Sequence, residues 1–154
     1  MILHVKGSNK AVRKLIEHAT WYYAEKLMGL RLMGSLELTI NLKKNLLSKE
    51  GNEGSAVWED DGFRPKEFTI ELDTTVKIRN LLITLAHEMV HIKQYVMSEL
   101  TFKREKMCWK NEVIGDMTEE QYYCSPHEVE AYGKEKWLQL GYTAVWNKIE
   151  SGEI

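Results

Sequence analysis

Cysteine is scarce in this chain: Cys108 and Cys124 are the two in 154 residues, and they form no CxxC pair. That usage gives no support to a disulfide-stapled scaffold and makes reduced thiols the expectation. An excess of one charge is also missing. With a formal net charge of -2 from interspersed acids and bases, there is no broad basic field, so no specific nucleic-acid partner is expected. No run approaches the roughly 20 apolar residues of a spanning helix. The opening stretch, Met1 to Gly7, is too short an apolar segment for a signal peptide. These absences lead to the expectation of a soluble, cytoplasmic protein without a membrane partner. At 44% hydrophobic content, 154 residues suffice for one core but not comfortably for two, so 1–154 reads as a single domain.

What is present is the pentapeptide His87-Glu88-Met89-Val90-His91. On a helix, residues four apart lie on one face, so both imidazoles can reach one metal ion from a single turn. Glu88 is one position further round. There its carboxylate is placed to act on water beside the metal as the general base of peptide hydrolysis. The surroundings support a helix: apolar residues at 78, 82, 85, 86, 89 and 92 follow helical spacing and require burial in a core.

The remaining pattern gives α+β as the class. Val12, Leu15, Ile16, Ala19, Tyr22, Tyr23, Leu27 and Leu30 recur at three and four, predicting a long N-terminal helix over 9–32 that ends at Gly34. Residues 36–42 alternate with period two and read as a half-buried strand, and 47–54 reads as a loop. Two more strands are expected at 55–59 and 68–72, joined through Asp61-Gly62 and Pro65. Helices follow at 76–98 and at 126–140, the second stopping near Gly141, with a short final turn at 145–149. The expected architecture is a small, mostly antiparallel sheet of three or four strands with helices on one face.

A catalytic zinc site needs a third protein ligand and an open position. Ser125-Pro126-His127-Glu128-Val129-Glu130-Ala131-Tyr132 has the form of a helix start, with Ser125 at the cap and Pro126 at the first helical position. Glu128, Ala131, Tyr132 and Glu135 then share a face, and Glu130 is rotated from Glu128 by about 200°. Glu128 also fits a capping box with Ser125, which would compete with ligation. His127 and Glu130 stand as rival ligands.

HExxH followed by an E-x-E-A helix resembles the gluzincin group of zinc peptidases, particularly its Ste24-like and minimal single-domain members. The resemblance implies a zincin-like domain with Zn2+ held by His87, His91 and Glu128. Tyr132 stands where that family often has an aspartate that orients a ligand histidine. Residues 36–95 are also similar to SprT-like metallopeptidases, but no histidine occurs between His91 and His127 and no CxxC ribbon is present.

The implied activity is hydrolysis of a peptide or protein substrate by zinc-activated water, with Glu88 as base. A peptide is expected to lie along a sheet edge near Val57-Trp58. Tyr95, Tyr122, Tyr123 and His127 are candidates to hold the developing oxyanion. Two other readings stand beside this one: a zinc-binding interaction module without turnover, and a metal-free structural domain in which Glu128 only caps a helix.

Overall fold

The computed structural model describes residues 1–59, 65–115 and 117–153. Strand β1 (Ile2–Lys6) leads into helix α1 (Lys10–Met33), then β2 (Glu37–Lys43), a short α2 (Leu46–Glu50), β3 (Gly54–Trp58) and β4 (Glu67–Asp73). Helix α3 (Ile78–Val96) carries the HExxH residues. After it come β5 (Leu100–Lys103), β6 (Lys106–Trp109), β7 (Glu112–Val113), α4 (Glu119–Tyr123) and α5 (Pro126–Glu150). The chain is therefore α+β, as its patterning predicts.

The main sheet has the order β1-β2-β4-β3. It is mixed, which corrects the mostly antiparallel sheet expected from the sequence. β1 pairs with β2 and β2 with β4 in parallel; only β3 runs antiparallel, against β4. The reason lies in the connections. A 24-residue helix between β1 and β2 returns the chain to its starting end, as parallel neighbours require. The excursion through α2 and β3 does the same between β2 and β4. β1 itself was not anticipated, and neither was the separate antiparallel meander β5-β6-β7.

Period-two burial along β2 and β4 turns Leu38, Ile40, Leu42, Phe68, Ile70 and Leu72 into one buried face. Ile16, Ala19, Tyr23 and Ala24 of α1 and Leu81, Leu85, Ala86, Met89 and Ile92 of α3 belong to the same core cluster. Further differences from the sequence reading are local. α1 begins at an Asn9 cap whose side chain accepts the Val12 N–H, but Gly29, with φ of 75°, breaks its helical geometry. Residues 46–50 form α2 rather than loop. α5 runs on to Glu150 without stopping at Gly141; there Tyr22 Oη lies 2.6 Å from where a Cβ would sit, so a bare backbone lets the helices approach. Tyr122 and Tyr123 lie on α4, closed by a Thr118/Gln121 capping box, and not on a loop. The Asp61-Gly62 turn falls outside the described residues. Among the described residues, no helix is long and apolar enough to cross a membrane.

The contact that positions the site is between β3 and α3. A Cβ on Gly54 would stand 2.6 Å from Thr84 Cγ2 and 3.1 Å from the Glu71 carbonyl oxygen. Only glycine permits that approach. Gly54→Ala is expected to destabilise the fold by about 1–3 kcal/mol through overpacking. By contrast, Gly133→Ala in α5, where an added Cβ meets nothing within 4 Å, is expected to stabilise it by about 0.5–1 kcal/mol. Urea denaturation of the two variants beside the parent protein checks both signs.

Candidate metal centre

α3 and α5 pack along one another in opposite directions, so that the start of α5 meets the end of α3 around a cleft of about 590 Å³. His87, Glu88 and His91 enter it from α3, and Glu128, Tyr132 and Glu135 from the facing side of α5. The helical spacing read from the sequence thus places these residues together. His87, His91 and Glu128 offer ligand atoms that all lie within 4.8 Å of one another, a group able to hold a metal ion. His87 Nε2 is 3.1 Å from His91 Nε2 and 3.2 Å from Glu128 Oε2, and His91 Nε2 is 3.1 Å from Glu128 Oε1.

The hydrogen bonds behind these atoms decide what they present. Gln94 Nε2 donates to the His127 carbonyl (2.9 Å) and to Glu130 Oε1 (3.0 Å). Its amide therefore cannot flip, and Gln94 Oε1 must accept from His91 Nδ1–H at 2.9 Å. His87 Nδ1 likewise donates to the Glu135 carboxylate at 2.8 Å. With both Nδ1 positions protonated, the two Nε2 atoms turn lone pairs toward each other and toward the two oxygens of Glu128. Glu128 Oε2 is buried and accepts no hydrogen bond. Four lone-pair donors converge there, and only a cation between them removes the repulsion. The residues fit a divalent metal ion.

A proton on His87 relieves the same repulsion. Burial disfavours the charged form of His87, but the Glu128 carboxylate 3.2 Å away and the bond to Glu135 outweigh this and raise its pKa to about 9. Burial likewise opposes ionisation of Glu128, yet His87, His91 and Tyr122 hold its carboxyl below the usual carboxylate range. Burial pushes Glu88 up. Tyr122 donates its hydroxyl to Glu128 Oε1 at 2.6 Å.

Of the rival ligands, Glu130 points away from the cluster and accepts bonds from Lys93, Lys134 and Gln94. His127 is buried beside it, with Nε2 3.9 Å from Glu128 Oε1, and is outside the ligand group. Glu128 does not cap α5: Ser125 makes no cap bond, and its hydroxyl donates to the Tyr122 carbonyl instead. Tyr132 does not orient His87 through its hydroxyl as its position implied. It packs edge-on against the ring, with centroids 4.6 Å apart, and Glu135 takes the orienting role. Gln94 and Glu135 are the functional residues that the sequence reading missed. Their signals are spacing: Gln94 is three after His91, and Glu135 is two turns after Glu128. Tyr95, Tyr122, Tyr123 and His127 all line the cleft.

Compared with known proteins, the chain matches no family model, no curated protein and no solved structure.

Because the folded pKa of His87 lies above its ordinary 6.5, its contribution to stability is fully present below about 6.5 and is lost as pH rises through about 9. Thermal melts in chelator should therefore show the metal-free protein weakening across that window. His87→Gln should flatten the change. Gln94→Leu, which removes the acceptor for His91 Nδ1–H, is expected to weaken metal affinity about 10- to 100-fold in a competition titration.

Proposed function

We propose that the protein is a zinc-dependent metallopeptidase, a zincin of the gluzincin kind that its motifs resemble. The observation that carries the reading is the converging set of His87 Nε2, His91 Nε2 and the Glu128 carboxylate, with Glu88 in the same cleft. Two imidazoles and one carboxylate form a donor set suited to a catalytic zinc ion, which keeps a position for water or substrate. When bound, zinc supplies Lewis acidity at a scissile carbonyl and lowers the pKa of water in the cleft.

The chain's own residues supply the rest. Glu88, next to His87 and shielded from solvent, takes a proton from the attacking water and delivers it to the leaving amine. Gln94 and Glu135 hold the two imidazoles in the tautomer that leaves Nε2 free. Tyr95, Tyr123 and His127 line the same cleft and are the groups available to hold the developing oxyanion, while the Tyr122 hydroxyl is engaged on Glu128. β3 borders the cleft as the outermost strand of its sheet, and an extended peptide can add to it through main-chain bonds.

Zinc content and hydrolysis are measured together. One zinc per chain is expected in the parent protein, lost in His91→Ala and weakened in Glu128→Gln. Glu88→Gln should keep the metal and lower peptide turnover by about 10²-fold or more. Zinc retention with no turnover by the parent protein on any peptide would leave a metal-bound interaction module. Absence of zinc after reconstitution would remove both readings.

A further inference from the structure

We propose that the cleft selects extended peptides by polarity: an apolar or aromatic side chain N-terminal to the scissile bond, and a lysine or arginine C-terminal to it, held by Glu53. This rests on the peptidase reading and names the substrate class of that same site.

The register of β3 gives the direction. The Asp73 N–H donates to the Glu53 carbonyl at 2.9 Å and the Glu59 N–H to the Glu67 carbonyl at 2.7 Å. In an antiparallel ladder hydrogen-bonded pairs alternate, so Ser55 and Val57 also turn their main-chain groups toward β4. Gly54, Ala56 and Trp58 therefore direct theirs outward, and no described segment pairs with that edge. Gly54, Ala56 and Trp58 also share the face toward α3: Gly54 abuts Thr84, and the Trp58 ring lies 5.1 Å from Tyr95. β3 and α3 consequently run the same way. A peptide added antiparallel, the more stable pairing, has its N-terminal part beside Trp58 and its C-terminal part beside Gly54. Its residues opposite Gly54, Ala56 and Trp58 face α3 and the ligand cluster.

The two ends differ chemically. Beside Trp58 stand Tyr95 and Phe102, the latter with its ring 5.0 Å from Trp58; Tyr95 also lines the cleft with Leu100 and Met107, and Met107 pairs with Phe102 in the β5-β6 ladder. Beside Gly54 stands Glu53, whose Oε2 accepts from the Thr84 hydroxyl at 3.2 Å. Among its described lining residues the cleft has four glutamates and neither lysine nor arginine. Three have tasks: Glu128 as ligand, Glu135 on His87 and Glu88 as base. Glu53 makes no ion pair with any described residue and itself lines the cleft.

The test uses zinc-loaded protein and three internally quenched peptides: apolar residues before and lysine after the cleavage point, the same with glutamate for lysine, and the first with its order reversed. The forward lysine peptide is expected to lead in kcat/KM by about tenfold at low salt, the gap shrinking as salt rises. Glu53→Gln, which retains an acceptor for Thr84, should erase the lysine preference, and Glu53→Lys should invert it. Equal cleavage of all three peptides, or a lysine preference unchanged in both variants, overturns the inference and leaves the peptidase reading intact. The same peptides are also titrated by fluorescence anisotropy onto zinc-loaded Glu88→Gln. Binding with this preference but no cleavage by the parent protein supports the polarity and sinks the peptidase; neither binding nor cleavage sinks both.

Discussion

The Gln94 amide reaches across the seam between α3 and α5 and gives both its protons to fixed acceptors, the His127 carbonyl and Glu130. Most of the chemistry in the cleft depends on that one orientation. A reversed amide would present N–H to His91 Nδ1 and force the ring to carry its proton on Nε2, closing the face that the ligand cluster needs. Glu135 does the same for His87 through a carboxylate, which can only accept. One imidazole is thus fixed by an anion and the other by a neutral dipole, so the ligands differ in basicity as well as position.

A neutral amide can hold its orientation only if its own partners are fixed, and the structure provides this one step further out. Lys93, 7% exposed, donates to Glu130 at 2.9 Å and to Glu99 at 2.6 Å, and Lys134 adds a third cation contact to the group. Burial opposes ionisation of Glu130, but its bonds from Gln94, Lys93 and Lys134 win and take its pKa down to about 2. An ammonium so enclosed is tolerable only with its carboxylates in place. The ion pairs therefore act on the site indirectly: they keep Glu130 charged and still, Glu130 keeps Gln94 from turning, and Gln94 keeps Nε2 of His91 toward the cleft.

Much of this was legible in the sequence wherever the information is local. Four-residue spacing put His87 and His91 on one face of α3, two-residue alternation found β2, and β3 and β4 were expected as the two strands flanking Asp61-Gly62 and Pro65. The helical start at Pro126 put Glu128 and Glu135 on one side and Glu130 on another, as the structure has them. The choice between ligation and capping for Glu128 was not local, because it depends on which surface α5 docks against. Gln94 and Glu135 were missed for that reason: a glutamine or glutamate on a helix has no marked role until the facing helix is known. β1 was missed because parallel pairing depends on a partner more than thirty residues away. The length of α5 was misread because glycine usually weakens a helix, whereas at Gly141 it admits Tyr22.

The sheet topology explains why a cation site and a strand edge lie together. In this sheet β2 and β4 occupy the interior, and parallel β1 forms the border opposite β3. The lone antiparallel strand is left at the other border, drawn against α3 by the bare backbone at Gly54. One helix thus serves two surfaces: its apolar residues pack on the sheet, while the His87-His91 face, turned toward α5, opens beside the β3 edge. A ligand that satisfies both must offer an oxygen to a cation and main-chain donors and acceptors to a strand. An extended polypeptide carries both along its backbone, with the amide carbonyl as the oxygen. On the peptidase reading proposed above, the site recognises the backbone first and leaves discrimination among side chains to the unlike ends of the cleft.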